Sequence, residues 1–263
     1  MTRIASVFAG RKDAALIAFI TVGYPSLEAT VEAVPLLEAC GVDMVELGIP
    51  FSDPLADGIT IQQASYQALQ KGVTPSTCLE AARLIRQRSG LPLLFMTYYN
   101  PLLSYGVDLF CRDASRAGAD GIIVPDLPLE EAGGLEESTC RHDLDLIYLL
   151  APNSSEERIR RIAERSRGFI YLVSVTGVTG MRKELPLDEA GRLAARVRRF
   201  STKPLCMGFG VSTPEQAAQL SGSVDGVIVG SSIVHLMGSG QDWKPAVTAY
   251  VRALKKALKG AAS

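Results

Sequence analysis

Eight short apolar runs, each separated from the next by polar or helix-patterned sequence, constrain this chain more than any other feature. They are ALIAFITVG (15–23), DMVELGI (43–49), PLLFMTYYN (92–100) and DGIIVPD (120–126), then LDLIYLLAP (144–152), GFIYLVSV (168–175), KPLCMGFG (203–210) and DGVIVGS (225–231). Several are continuous rather than alternating, which suits strands covered on both faces, as in a parallel sheet. The helical stretches carry their own boundaries. SLEATVEAVPLLEACG (26–41) opens on Ser26, a good N-cap, and closes on Gly41, with Pro35 predicting a kink. TPSTCLEAARLIRQRSG (74–90) has a cap, an early proline and a closing glycine. SSEERIRRIAERS (154–166) places acids early and arginines late, as the helix dipole prefers. STPEQAAQL (212–220) and QDWKPAVTAYVRALKKALKG (241–260) complete the set.

Strand–helix alternation over 263 residues predicts an α/β chain folded as a (β/α)8 TIM barrel. The expected organisation is one barrel domain over residues 1–263, with an extra N-terminal helix and a short extra helix after strand 8. An open doubly wound sheet is the alternative. It usually announces itself by a glycine-rich turn after the first strand, and here that turn reads TVGYPS. The strand openings GVDMVEL, GADGIIV and SVDGVIV echo one another without a fixed period.

Composition narrows the function classes. Hydrophobic residues make up 47% and charged residues 21%, with a net charge of −1, so nothing favours nucleic acid or an anionic membrane surface. The five cysteines are odd in number and widely spaced without CxxC, which predicts reduced thiols rather than a disulfide framework or a zinc site. MTRIASVFAG does not read as a signal peptide, and no run of eighteen apolar residues occurs; a cytoplasmic protein is the expectation.

A barrel of this kind does its chemistry at the C-terminal ends of its strands. Two glycine turns stand there, Gly208-Phe209-Gly210 before a helix start and Gly230-Ser231-Ser232 before IVHLM. Glycines let backbone N–H groups approach an anion, and turns after strands 7 and 8 are the usual phosphate site of this fold. Thr179 and Gly180 of the sixth loop offer further donors. Glu46 lies within strand 2 with Val45 and Leu47 facing the other way, so it points into the barrel if those pack against helices. A carboxyl group there loses hydration and its pKa rises, which suits an acid/base. Asp57 lies on the following loop, expected to be wetter and ionised, and two carboxylates in unlike environments make an acid/base pair. Asp53 fits either a turn cap or a contact. Phe19, Ile61, Tyr98, Leu127, Tyr171 and Phe209 are candidate walls for a flat apolar group. The sixth loop, TGVTGMRKELP (176–186), reads as a lid over the phosphate turns. No lysine stands at a strand end for a Schiff base, since Lys203 begins strand 7 and Lys183 lies in a loop. The two histidines, His142 and His235, do not cluster as metal ligands, so no metal is expected. A carbon–carbon cleavage here has to use the protonated substrate as its own electron sink.

The stretch ELGIPFSDPLADG closely resembles the signature of the tryptophan synthase alpha chain family. The resemblance continues through GITIQQAS, MTYYNPLL, VPDLPLEE, YLVSVTGVTG, GFGVSTPEQ and VGSSIV, nearly the whole chain. It implies a (β/α)8 lyase that cleaves indole-3-glycerol phosphate to indole and glyceraldehyde 3-phosphate. It implies Glu46 and Asp57 as the catalytic pair, Asp57 holding the indole N–H and Glu46 protonating C3 and taking the hydroxyl proton. It further implies phosphate contacts at Gly180, Gly210, Gly230 and Ser231, pocket positions at Phe19, Ile61, Tyr98 and Tyr171, and a lid contact from Thr179 to Asp57. The partner it implies is a PLP-dependent beta chain in an αββα complex, docked around Asp53, Pro54 and the region after Asn100, with no cofactor in this chain. Val175 and Thr176 depart from the pattern, standing where some members carry Arg. A free-standing lyase and a catalytically idle regulatory subunit are the rival readings; retention of Glu46 and Asp57 argues against the second.

Overall fold

A computed structural model of the chain describes residues 1–173, 187–208, 210–240 and 242–260. Its strands are β1 (Ala15–Thr21), β2 (Met44–Gly48), β3 (Leu93–Met96), β4 (Gly121–Ile123), β5 (Asp145–Ile147), β6 (Leu149–Leu150), β7 (Ile170–Val173), β8 (Leu205–Gly208) and β9 (Gly226–Val229). All pairings are parallel, in the order β5-β4-β3-β2-β1-β9-β8-β7-β6. The fifth apolar run therefore supplies both ends of the sheet, and the barrel closes across it. It divides into two strands because the Tyr148 N–H donates to Ser166 Oγ at 3.2 Å instead of to the ladder, while the Tyr148 carbonyl still accepts from the Tyr171 N–H at 3.0 Å.

The helices whose caps the sequence marked begin at those caps. Ser26 Oγ accepts the Ala29 N–H at the head of the helix Leu27–Ala39, which runs through Pro35. Thr74 and Thr77 form a capping box with Pro75 in the first turn of Pro75–Arg86, and Ser155 caps Glu156–Arg165. Caps of this kind satisfy amide donors that helix geometry leaves without partners. The extra N-terminal helix, Arg3–Phe8, and the short helix after the last strand, Ser231–Met237, are both present.

Side-chain alternation sorts the strands into two cores. Val45, Leu47, Leu93 and Phe95 belong to the outer layer beneath the helices. Ile17, Phe19, Met44, Leu94, Met96, Ile147, Tyr171 and Ile228 fill the barrel, and Ile4 of the N-terminal helix packs with them, completely buried. Removing such side chains from water contributes about 1.5–3 kcal/mol each. Two inner glycines make room for the largest of them: a methyl added at Gly48 would overlap the Phe19 ring, and one at Gly208 the Tyr171 phenol.

The echo among GVD, GAD and SVD has a physical meaning. Asp43 Oδ2 accepts the Leu16 N–H at 2.8 Å, Asp120 Oδ2 the Leu93 N–H at 2.9 Å, and Asp225 Oδ2 the Leu205 N–H at 2.7 Å. Each aspartate thus ties the start of its own strand to the preceding one. Each also meets a base: Arg11 and Lys255 at Asp43, Arg3 and Arg86 at Asp120, Arg198 at Asp225. These clamps sit at the N-terminal ends of the strands, which leaves the C-terminal ends for chemistry.

Candidate active site

Glu46 enters the barrel because β2 alternates. With Val45 and Leu47 in the outer layer, its side chain takes the inner face beside Met44 and is fully buried. Neither carboxyl oxygen has a hydrogen-bond partner among the described residues. Burial alone raises its pKa to about 8, so the group is a neutral acid near neutrality.

Asp57 arrives by a tight excursion after β2. The Leu55 N–H donates to the Asp53 carbonyl at 2.9 Å and the Asp57 N–H to the Pro54 carbonyl at 3.0 Å, turning the chain back over the barrel mouth. Gly58 then begins the helix Ile59–Gln70, and Gln62 Nε2 holds the Asp57 carbonyl at 2.9 Å. Asp57 itself is drier than its loop position suggests, only 8% exposed. Burial raises its pKa to about 6, against a lowering by the hydrogen bond from Tyr98 Oη to Oδ2 at 3.1 Å. Asp57 is thus mainly ionised where Glu46 is mainly protonated. Asp53 accepts the Ser52 hydroxyl and serves the turn.

One cavity receives both carboxyl groups. Phe19, Ile61, Met96, Tyr171, Val211 and Ile228 supply its apolar lining, and Gly210, Ser212, Gly230, Ser231 and Ser232 its polar lining. The sequence candidates Phe19, Glu46, Asp57, Ile61, Tyr171, Gly210, Gly230 and Ser231 are therefore together. Tyr98 is not in the lining; it stands behind Asp57. Leu127 packs in the outer core instead. Thr179, Gly180 and Phe209, the loop 176–186 and the positions Val175 and Thr176 lie outside the described residues. Met96 and Ile228 were missed, although each sits two residues beyond an inward-facing position, Leu94 and Gly226. Val211 and Ser212, also missed, follow Gly210, and Ser232 belongs to the turn already singled out.

The two glycine turns, alike in sequence, differ in structure. The helix Pro214–Ser221 caps itself: Thr213 Oγ1 accepts the Gln216 N–H, while Gln216 Oε1 accepts the Ser212 N–H at 2.8 Å and the Thr213 N–H at 3.2 Å. The helix Ser231–Met237 follows Gly230 and has no side-chain cap. The second turn is the better anion cradle, because its amides have no side chain of their own to satisfy them. Lys203 is engaged elsewhere, its Nζ donating to the carbonyls of Ala163, Glu164 and Ser166 at the end of Glu156–Arg165. Among the described residues no three His, Cys, Asp or Glu side chains gather as a metal site.

Residues 6–263 match the family model described as tryptophan synthase alpha chain. This chain belongs to the tryptophan synthase alpha chain family. The family's alpha chain from Dehalococcoides mccartyi is 51% identical over 98% of this chain and all of that protein; the one from Geobacter sulfurreducens is 48% identical over 98% and 99%. A solved tryptophan synthase from Mycobacterium tuberculosis superposes with a TM-score of 0.91 at 40% identity, covering 98% of both chains. The alpha subunit from Legionella pneumophila superposes at 0.90 with 37% identity over 99% of each. The chain is accordingly a lyase of the tryptophan synthase complex, acting in tryptophan biosynthesis as its alpha subunit.

Proposed function

We propose that Glu46 and Asp57 cleave indole-3-glycerol phosphate into indole and glyceraldehyde 3-phosphate. The observation that carries this reading is the split between two buried carboxyl groups in one cavity, a neutral acid at Glu46 and a carboxylate at Asp57. The Glu46 carboxylic acid gives its proton to indole C3. Positive charge then develops at the ring nitrogen, where the Asp57 carboxylate accepts the N–H and stabilises it. The bond from C3 to the side chain breaks, its electron pair restoring the aromatic ring. The Glu46 carboxylate takes the proton of the side-chain hydroxyl, which leaves as the aldehyde, and is ready for another cycle. The protonated ring is the electron sink, so this chain needs no cofactor for the step. Phe19, Ile61 and Tyr171 hold the flat ring, and the turns at Gly210 and Gly230-Ser231, with Gly180, hold the phosphate.

Exposed apolar side chains support a docked beta chain, PLP-dependent, that receives the indole. Leu55 is 85% exposed, Ile59 and Tyr66 65% each, and Leu103 54%, all in or beside the segments the family resemblance assigns to the interface. A free-standing lyase would have no use for them, and indole release measured with and without the beta chain separates the two readings. Glu46→Gln and Asp57→Asn each lower indole formation by about 10²–10⁴-fold while circular dichroism stays native. Near-normal turnover in either variant would refute the pair.

A further inference from the structure

Tyr98 is the residue of the site whose position least matches a pocket wall. Its phenol is buried, its ring packs on Phe51 with centroids 5.3 Å apart, and its oxygen meets two groups of the loop after β2. The Ala56 N–H donates to it at 2.9 Å, and Asp57 Oδ2 lies 3.1 Å away. A backbone N–H can only donate, so the phenol oxygen accepts there, and its single O–H is left for the carboxylate, which can only accept. The hydroxyl orientation is thereby determined. Among the described residues Asp57 Oδ1 has no such partner.

We propose that Tyr98 is a positioning residue for the lyase reaction, clasping the loop by its backbone and Asp57 by one oxygen so that the other meets the substrate N–H. This rests on the reading of Asp57 given above. The anchor is rigid at its own end. Tyr98 is the N-cap of the helix Tyr99–Tyr105, and the Tyr99 N–H is held by the Asp126 carboxylate at 3.0 and 3.3 Å. A carboxylate with one oxygen tied loses its rotational freedom before substrate arrives, so that cost is removed from the reaction. The donated hydrogen bond also favours the ionised carboxylate, opposing the burial that pushes Asp57 toward protonation.

The test is indole formation by Tyr98→Phe and Asp57→Asn, each assembled with the beta chain, across about pH 5–9. Tyr98→Phe is expected to lower kcat about ten- to a hundredfold at pH 7, by loss of a hydrogen bond to a charged group, with KM changed less than about threefold. The acid limb of kcat/KM is expected to move up by about one pH unit, because Asp57 loses the donor that favours its charge. A limb that stays in place while Asp57→Asn is inactive overturns the positioning role and leaves Asp57 assigned. Normal turnover by Asp57→Asn overturns the reading beneath it. Should Tyr98→Phe fail to fold, a difluorotyrosine at 98 keeps the ring and strengthens the donor. The acid limb must then move to lower pH, and an unmoved limb overturns the proposal.

Discussion

Glu46 is a carboxyl group that the alternation of β2 forces into an apolar interior, and its chemistry and its cost come from that one fact. Its folded pKa of about 8 lies above the ordinary carboxylate value. Below the unfolded value both states are protonated and the residue adds no pH dependence to folding. As pH rises from there toward about 8 the unfolded chain ionises first, so stability falls through that window and levels off above it. Glu46→Met, apolar and of similar length, should therefore raise the unfolding free energy at pH 7 by about 2 kcal/mol while abolishing turnover, as urea titration would read. Stability gained below pH 4 as large as that at pH 8 would contradict the assignment to ionisation. Asp57, its pKa raised by burial to about 6, has the same sign of linkage over a narrower window, but the proposed mechanism uses it in the charged form. Under the proposed mechanism turnover uses protonated Glu46 and ionised Asp57, so kcat/KM should be bell-shaped, with limbs near pH 6 and pH 8. Both carboxyl groups were legible as candidates because strand period and loop position are local properties. The burial of Asp57 was not, since it depends on Tyr98, 41 residues away along the chain.

At the scale of elements, the caps at Ser26 and Thr74 worked as read, for a cap needs only its next three residues. The aspartate clamps needed more. Asp43, Asp120 and Asp225 could be seen as an echo, but their acceptors' partners lie on other strands. Asp120 is the most heavily committed, taking Arg3, Arg86 and the Leu93 N–H. Asp120→Ala strands a half-buried guanidinium and a strand amide together, and should cost about 3 kcal/mol in urea unfolding at unchanged KM. The division of the fifth run at Tyr148 has the same origin. Its amide goes to Ser166, a residue with no marking in sequence as a strand partner. The two glycine turns likewise diverge through Gln216, whose carboxamide closes one helix start and has no counterpart at the other.

The whole molecule adds closure and a face. Closure places β1 between β2 and β9, so that Phe19, Glu46 and Ile228 surround one mouth although they are scattered over the sequence. The face is the apolar surface of Tyr66 and Leu103, exposed on helices flanking the Asp57 loop. Replacing both by Lys should weaken beta-chain binding by about tenfold or more in titration calorimetry, as desolvated apolar anchors dominate such interfaces. Unchanged affinity would put the interface elsewhere. The sequence by itself determined the class of fold, the helix starts marked by Ser26 and Thr74, the inward direction of Glu46 and the family, because periodicity, caps and a long motif are written in neighbouring residues. Only the tertiary structure decided how dry Asp57 is, that Tyr98 holds it rather than lining the cavity, and which glycine turn is left uncapped. Each of those depends on a hydrogen bond or a contact that the barrel must close to form.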